Sequence, residues 1–470
     1  MSEFSAIRSR IRRDPRWFFV NVLGAEPWDA QIQIAESLRD NPTTSVASCH
    51  GIGKTWTSAR LVVWFMMAFG PDCICITTAP TDRQVRGILW KELRTAVKGC
   101  QFNIGRSPLL QEWKLADDWF AIGFTAPDYD STKVQGWHAR YVLVVVDEAA
   151  GVSQEVEDGL AGVLTNPRNC RLLRIGNPTD PLSVFGKEHG TTGVSSLNIS
   201  AFDTPNFTDF GVKIEHLRNG EWEQMVEDVE YRYPNLVTPE WVAARMRKWG
   251  ESNPLFVSRV MGQFPKDAAN AVIPLSFIEA AQRRTLERGA VCRLSVDVAG
   301  EGQDRNVISG AWGPVFRVLE EDNAWRPATL VGHVKQHVRD HNAEEVRIDP
   351  IGVGYGPTED LKDWNYSVRI TPINVGENAL DSDNYANRRS ECWWHLRERF
   401  ESGDMDIDPM DDELAGELAS ITWGPDKRER IAVTPKKAMK KAGFNSPDRA
   451  DTLMMAYAPT EPVAGPNIFV

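Results

Sequence analysis

The sequence predicts an α/β protein of two domains, the first built on a mostly parallel sheet. The chain has 470 residues, beyond the size at which one core stops growing. Its first half alternates short, continuous apolar runs with segments of helical spacing, the pattern of strands buried on both faces with helices between them. The first of those runs leads into Ser48–Thr55, SCHGIGKT, a glycine-rich turn that opens a helix.

The elements follow in order. Ser45–Cys49 is strand-like, and Thr57–Phe69 has helical spacing. Cys73–Thr78 (CICITT) is β-branched, with Gly-Pro before it and Pro80 after it. Gln84–Val97 reads as a helix, and Tyr141–Val146 and Arg171–Ile175 as two more buried strands. From about Asn206 to Gly250 the chain turns polar and helical, and at Gly262–Pro274 the periodicity is lost. The expected domains are therefore 1–262, with 206–262 as a helical subdomain, a linker at 263–275, and 276–470 with a flexible tail at 460–470. The second domain opens with the strand-like runs Cys292–Val298, Val307–Trp312 and Thr329–Val334. Val346–Asp349, a helix near Asn387–Glu401 and a last helix from about Arg449 complete it.

Composition excludes several classes. With 42% hydrophobic and 25% charged residues, the chain is neither disordered nor collagen-like. The longest apolar run, around Leu61–Phe69, is far below the roughly 18–20 residues that span a bilayer, so no membrane partner is expected. The opening MSEFSAIRSRIRRDPR is basic but lacks the apolar core of a secretory signal. Seven scattered cysteines (Cys49, Cys73, Cys75, Cys100, Cys170, Cys292, Cys392) fit reduced thiols in a cytoplasm better than a disulfide framework or zinc ribbon. The net charge of −12 argues against a uniformly basic footprint. Basic residues concentrate instead at Arg8–Arg16 and Lys427–Lys441, and a basic groove in an acidic protein still holds a polyanion.

Three motifs in the first half carry chemistry. In SCHGIGKT, glycines let backbone N–H groups approach phosphate oxygens, Lys54 reaches the β- and γ-phosphates, and the Thr55 hydroxyl holds Mg²⁺. Gly51 and Gly53 supply the flexible turn, while Ser48 stands where the strict pattern has its first glycine. A strand enters and a helix leaves, which places the phosphates at a helix N-terminus. In Tyr141–Ala149 (YVLVVVDEA), an apolar strand delivers two carboxylates at its end. Asp147 suits the Mg²⁺ and Glu148 the attacking water. A third strand ends in Gly176-Asn177-Pro178-Thr179, where the Asn177 amide is placed to sense the γ-phosphate; the same residues also make an ordinary turn. Gln31, in PWDAQIQ, precedes the loop and is a candidate reader of the adenine edge.

In the second half, Asp297 (LSVDVAGEGQD), Asp349 (VRIDPIGVGYG) and Asp451 (SPDRADTLMMA) sit at element ends far apart in sequence. Such carboxylates hold hard Mg²⁺ or Mn²⁺ ions, and a pair of ions cleaves phosphodiesters. Asp304 and Asp448 are plausible additions. His333, His337 and His341 recur every four residues, but no cysteine or further histidine lies nearby to complete a zinc site. Lys436, Lys437, Lys440 and Lys441 read equally as a phosphate-backbone contact or a solvated helix face. The 17 tryptophans read as packing residues rather than base-stacking platforms.

Taken together, these motifs resemble the large terminase subunit of tailed bacteriophages. The resemblance rests on Gln31, SCHGIGKT, TAPTDRQV (Thr78–Val85), VQGWHARYVLVVVDEA (Val134–Ala149) and IGNPTD. It continues through ISAFDTPN, SRVMGQFP, SVDVAG, RIDPIGVG, NRRSECWW (Asn387–Trp394) and SPDRAD, so it covers nearly the whole chain. It implies an N-terminal P-loop ATPase of the additional-strand type and a C-terminal nuclease with an RNase H-like fold. Lys54, Thr55, Asp147 and Glu148 then match the nucleotide site, with ATP and Mg²⁺ as its cofactors, and Asn177 falls in the coupling motif. Asp297, Asp349 and Asp451 match a nuclease triad using Mg²⁺ or Mn²⁺, with Asp448 as a further metal ligand. The implied activity is ATP-driven movement of double-stranded DNA into procapsids and cleavage of concatemers. The implied partners are the DNA, the portal of the procapsid, a small terminase subunit, and other copies of the chain in a ring on the portal. The implied place of action is the host cytoplasm rather than the mature virion. In one respect the chain departs from the pattern. Some members carry an arginine finger at the second loop position, and here that residue is Cys49. Arg83, Arg86, Arg106, Arg140 or a neighbouring subunit are the alternatives. A helicase-like translocase without nuclease activity is the rival expectation.

Overall fold

A computed structural model describes residues 3–125, 139–166, 168–265, 270–299, 305–364, 366–441 and 444–460. Asp304, the first part of VQGWHARYVLVVVDEA and the tail beyond 460 lie outside the described residues. The chain divides into two compact units. The first is Met1–Arg247 with Phe256–Lys266, and the second is Lys248–Leu255 with Asp267–Val470. The short stretch at 248–255 thus joins the second unit. Trp249 Nε1 donates to Asp412 O at 3.0 Å, and Asn253 Nδ2 donates to Gly416 O at 3.0 Å.

In the first unit the strands are β1 (Thr43–Ser48), β2 (Cys73–Ala79), β3 (Glu112–Ala116), β4 (Trp119–Thr125), β5 (Tyr141–Asp147), β6 (Cys170–Gly176) and β7 (Ser195–Ile199). They form one sheet in the order β3-β4-β2-β5-β6-β1-β7. Every pairing is parallel except that of the edge strand β3 with β4. All seven residues of β2 are buried, as expected of a strand covered on both faces. β6 inserts between β1, which leads into the phosphate loop, and β5, which carries the acidic pair. That is the additional-strand arrangement. The helix Lys54–Phe69 is apolar nearly all round and correspondingly buried. Trp64 within it donates from Nε1 to Ile11 O at 2.8 Å and so lies beneath the N-terminal helix Glu3–Arg13.

The second unit contains β8 (Cys292–Asp297), β9 (Asn306–Trp312), β10 (Val315–Asp322), β11 (Glu345–Ile348) and β12 (Arg369–Pro372), in the order β10-β9-β8-β11-β12. β8, β9 and β10 form an antiparallel meander, and β11 and β12 run parallel to β8. This is the RNase H-like topology. The helix Asp448–Ala456 packs on the sheet, with the hydroxyls of Ser309 and Thr452 2.7 Å apart.

Several sequence expectations need correction. Thr329–Val334 is not a strand but part of the helix Pro327–Asp340. Its buried Leu330, Val331, Val334 and Val338 recur at helical spacing, and a proline in the first turn suits a helix start. The segment 84–97 begins as π-helical turns over Arg83–Leu89 and becomes α-helical only over Trp90–Lys98. β3, β4, β7, β10 and β12 were not foreseen, although β4 (WFAIGFT) is itself an apolar run. As expected, tryptophans fill the interior: Trp64, Trp90, Trp113 and Trp393 are fully buried. All seven cysteines are free thiols. Among the described residues no helix is long and apolar enough to cross a membrane.

One buried charge gives a test of this fold. Glu345, at the start of β11, accepts from Arg293 Nε at 2.6 Å and from the Thr371 hydroxyl at 2.8 Å. Burial alone would raise its pKa, but the Arg293 bond, the nearby Arg347 charge and the Thr371 hydroxyl hold it at about 2. A depressed acid stabilises the fold above its unfolded value and stops doing so as pH falls through its folded one. Between pH 4.5 and 2 the second unit should therefore lose on the order of 2–3 kcal/mol through this group. Glu345→Gln should flatten that part of an acid-unfolding curve; an unchanged slope would remove the assignment.

Candidate active sites

Parallel pairing brings the C-terminal ends of β1, β6 and β5 to one rim of the first sheet, where open α/β sheets bind ligands. β1 ends at Ser48, β6 at Gly176 and β5 at Asp147. The phosphate loop lies between Ser48 and the helix that starts at Lys54. Gly51 and Gly53 have φ of +67° and +79°, a conformation that side chains resist, whereas Ser48 is the last residue of a strand and does not. A serine is therefore tolerated at that position. At Gly53 a Cβ would also stand 2.7 Å from Gln31 Nε2. The first helical bond is Thr57 N to Gly53 O, 2.9 Å. The preceding N–H groups lack helical acceptors and form an anion cradle.

The side chains converge on that cradle. Lys54 Nζ donates to Cys49 O and to Asn177 Oδ1, each at 3.3 Å. Asn177 Nδ2 donates to Ser48 O at 2.7 Å, so one amide ties β6 to both the loop and its lysine. Thr55 Oγ1 donates to Asp147 Oδ2 at 3.1 Å. Burial first, and Glu148 next, push Asp147 up to about 7 against the opposing pull of Lys54 and Thr55. Glu148 itself has φ of +50°, a left-handed backbone that costs a non-glycine residue about 1–2 kcal/mol. Beside the loop opens a cavity of about 490 Å³, lined among others by Trp28, Gln31, Trp56, Tyr233 and Leu236. Its aromatic walls suit a planar base. Gln31 faces it, but its amide braces the loop: Oε1 accepts from Trp28 N and Nε2 donates to Ile52 O, both at 3.2 Å.

The finger candidates separate. Arg140 precedes β5, so it lies at the opposite end of the strand from Asp147, and its N–H is bonded to Asp72. Arg106 lies beside the edge strand β3, its carbonyl accepting from Trp113 Nε1 at 2.6 Å. Neither stands at the loop. Arg83 and Arg86 follow β2 at the correct rim, and Arg86 Nε pairs with Asp82 at 2.7 Å. Sequence reasoning missed a clasp on the loop from the helical segment. Val237 N donates to Gly51 O at 2.9 Å, and His50 N donates to Arg259 O at 2.8 Å. Burial, followed by the charges of Arg259, Lys54 and Arg245, holds His50 well below its usual pKa. Those partners lie about 200 residues from the loop, and no local pattern reveals them.

In the second unit, the register pairs Val296 with Ile348, so Asp297 and Asp349 emerge side by side from parallel strands. Asp448 and Asp451 lie in the first turn of the helix Asp448–Ala456. Asp297, Asp448 and Asp451 are buried. Asp448 Oδ2 accepts from Arg305 N at 2.8 Å, and Asp349 Oδ1 from Ile351 N at 2.9 Å. Burial raises Asp297 well above the usual carboxylate range, and the charges of Asp451, Asp448 and Asp349 raise it further against Lys436. Lys436 is the residue that sequence reasoning left outside the site. Its Nζ stands 2.5 Å from Asp451 Oδ2. Although burial disfavours its charge, Asp451 and Asp297 hold it protonated. Lys437, Lys440 and Lys441 of the same helix are exposed. Among the described residues no three His, Cys, Asp or Glu side chains already surround a single cation position. The Lys436 ammonium pairs with one of the carboxylates, Asp451, instead. The donor set is nonetheless hard, all-oxygen and in excess of its positive charge, which fits Mg²⁺ or Mn²⁺. Glu417, also missed, is buried and accepts from Ala450 N at 2.8 Å, bracing the helix that carries Asp451.

The three histidines cluster on one carboxylate and on one another. His333 and His337 lie on the helix Pro327–Asp340, and each stands 3.0 Å from Glu320 Oε2. His341 stacks on His337 just past the helix end.

No protein-family model matches the chain. Over 96% of its length, and 95% of the other protein's, it is 25% identical to the "Probable terminase, large subunit" of Enterobacteria phage P7. Among solved structures, the nuclease domain of the large terminase subunit gp2 of bacterial virus Sf6 is 19% identical, covering 40% of this chain and 99% of that one, with a TM-score of 0.38. The large terminase from a thermophilic bacteriophage is 12% identical, covering 92% of this chain and 98% of that one, with a TM-score of 0.39. From the phosphate loop to the last acidic helix, then, the chain resembles a terminase large subunit.

Proposed function

We propose that this chain is the motor and nuclease of genome packaging in a tailed bacteriophage. Its first unit hydrolyses ATP to drive double-stranded DNA into a procapsid, and its second unit cuts concatemeric DNA. The observation that carries this reading is the presence, in one chain, of two carboxylate-bearing sheet rims, one facing a phosphate cradle and the other gathering Asp297, Asp349, Asp448 and Asp451 beside Lys436. DNA would be held chiefly through its phosphates, with little sequence reading by this chain. Site choice would then fall to a small terminase subunit, and the working form would be a ring of copies docked on the portal, in the host cytoplasm.

At the first rim, Lys54 and the cradle N–H groups would bind the β- and γ-phosphates of ATP, while Thr55 and Asp147 would hold its Mg²⁺. Glu148 polarises the attacking water and accepts its proton. Asn177, bonded to both Ser48 and Lys54, positions the lysine and carries its displacement into β6. At the second rim, Asp297, Asp349, Asp451 and Asp448 would hold Mg²⁺ or Mn²⁺, which supplies Lewis-acid activation of water and stabilises the leaving oxygen. Lys436 neutralises part of the acid cluster in the absence of ions. A helicase-like translocase without a nuclease would have no use for several buried carboxylates around one lysine, an arrangement costly to the fold.

Three measurements test these roles. Glu148→Ala should lower ATP turnover by about 10²-fold or more while fluorescent ATP analogues still bind. Normal turnover in that variant would overturn the assignment. Asp297→Ala should abolish plasmid cleavage in Mn²⁺ with ATP hydrolysis intact. A wild-type protein with DNA-stimulated ATPase but no cutting would favour the helicase-like reading. Lys436→Ala should lower the unfolding temperature of the metal-free protein, and Mn²⁺ should restore it. Calorimetry should find tighter Mn²⁺ binding than in wild type; equal affinity would mean the ammonium does not compete for the cation position.

A further inference from the structure

Immediately after Asp349 the chain makes a turn that is rigid, apolar and exposed. Ile351, Val353 and Tyr355 are 48%, 47% and 64% exposed. A solvated loop is normally polar, and contiguous exposed apolar side chains mark a contact surface. This turn is held in place. Ile351 N donates to Asp349 Oδ1 at 2.9 Å, Gly354 N donates to Ile351 O at 3.2 Å, and the Thr358 hydroxyl donates to Gly354 O at 2.7 Å. Gly352–Gly354 is a 3-10 turn, with φ of +60° at Gly352. A Cβ on Gly354 would collide with Asp349 O and stand 3.6 Å from Val298 Cγ2. The turn therefore folds back between the two strand ends that carry Asp297 and Asp349.

Resting on the nuclease reading above, we infer that the turn Ile351–Tyr355 is a wedge that enters the minor groove of the DNA beside the phosphate to be cut. Ile351 is two residues beyond Asp349, within about 7–8 Å at 3.8 Å per Cα step. The minor groove is about 6 Å wide, so a strand whose phosphate lies on the carboxylates also lies against this turn. The side chains of Ile351 and Val353 form no hydrogen bonds with phosphates. They meet sugars and base faces, and apolar wedges in the minor groove part neighbouring base steps. The exposed Lys437, Lys440 and Lys441 share a helix with Lys436, which reaches Asp451, and so supply backbone contacts at the same rim. The turn opens the step next to the scissile phosphate and fixes the strand on the acids without reading sequence.

The test uses the full-length chain and a duplex carrying 2-aminopurine, which brightens when unstacked, with Ca²⁺ allowing binding without cutting. Wild type should raise the fluorescence on binding. Ile351→Ser/Val353→Ser/Tyr355→Ser should bind without the rise, keep ATP hydrolysis, and in Mn²⁺ lose at least tenfold in cleavage kcat with a smaller change in KM. Ile351→Leu/Val353→Ile/Tyr355→Phe, which keeps the apolar surface, should behave as wild type, and an unchanged circular-dichroism melt of the serine variant excludes a folding defect. A serine variant that unstacks and cuts like wild type, or a wild type that binds without unstacking, overturns the wedge. Asp297→Ala separates the two readings: it should keep the fluorescence rise and lose the cutting. Cutting that survives Asp297→Ala sinks the nuclease assignment, whereas the fluorescence still decides the role of the turn.

Discussion

Parallel strand pairing is the constraint on which both sites depend. A strand delivers chemistry only at its ends, because its body is needed for the core. β1, β5 and β6 are parallel neighbours, so Ser48, Asp147 and Asn177 arrive at the same rim although up to 129 residues separate them. β8 and β11 repeat the arrangement in the second unit with Asp297 and Asp349. Reversing β11 would move Asp349 by the length of its four residues, roughly 13 Å at 3.3 Å each, and leave no pair of acids at all. In each case apolar burial provides the driving force and hydrogen-bond direction provides the placement.

Charge separates working groups from structural ones. Arg174 and Glu157 are both buried, with bonds of 2.8 and 3.1 Å between guanidinium and carboxylate, and Glu188 takes a further nitrogen. That network is closed: its donors and acceptors answer one another, and it braces β6 against the helix Gln154–Ala161. The two rims are different. At each, burial first and neighbouring carboxylates next push Asp147 and Asp297 above the usual carboxylate range, against the pull of a lysine. An unbalanced buried charge is costly to a fold with no further use for it. On the proposed reading, that imbalance would make both rims receptive to cations.

The two sites were legible in the sequence to different depths. The phosphate loop was readable because strand, turn and helix are contiguous, and the acids of the second unit because each closes an apolar run or opens a helix. Lys436 was not readable, since a run of lysines looks like a solvated face until the fold turns one of them inward. Thr329–Val334 misled because a short β-branched run has no period long enough to distinguish strand from helix. The clasp of Val237 and Arg259 on the loop, and the return of 248–255 to the second unit, depend on contacts distant in sequence. Gln31 was found in the right place, but its amide braces the loop backbone, a role that its position alone did not reveal.

Backbone geometry, more than side-chain bonding, sets the direction of Glu148. Glu148 follows the last residue of β5 and takes a left-handed conformation, which turns its side chain out of the strand direction. Gly176, the last residue of β6, lies against that bend: a Cβ there would stand 2.9 Å from Ala149 N and 3.3 Å from Glu148 Cα. The next residue is Asn177, whose amide is bonded to the loop and to Lys54. The group that contacts the lysine and the bend that aims the glutamate are thus neighbours on one strand end. On the proposed reading, a displacement of Lys54 toward bound phosphate would pull on Asn177 and, through Gly176, bear on the backbone of Glu148. On that reading, nucleotide engagement and alignment of Glu148 would be coupled across a single residue, with no need for a longer relay.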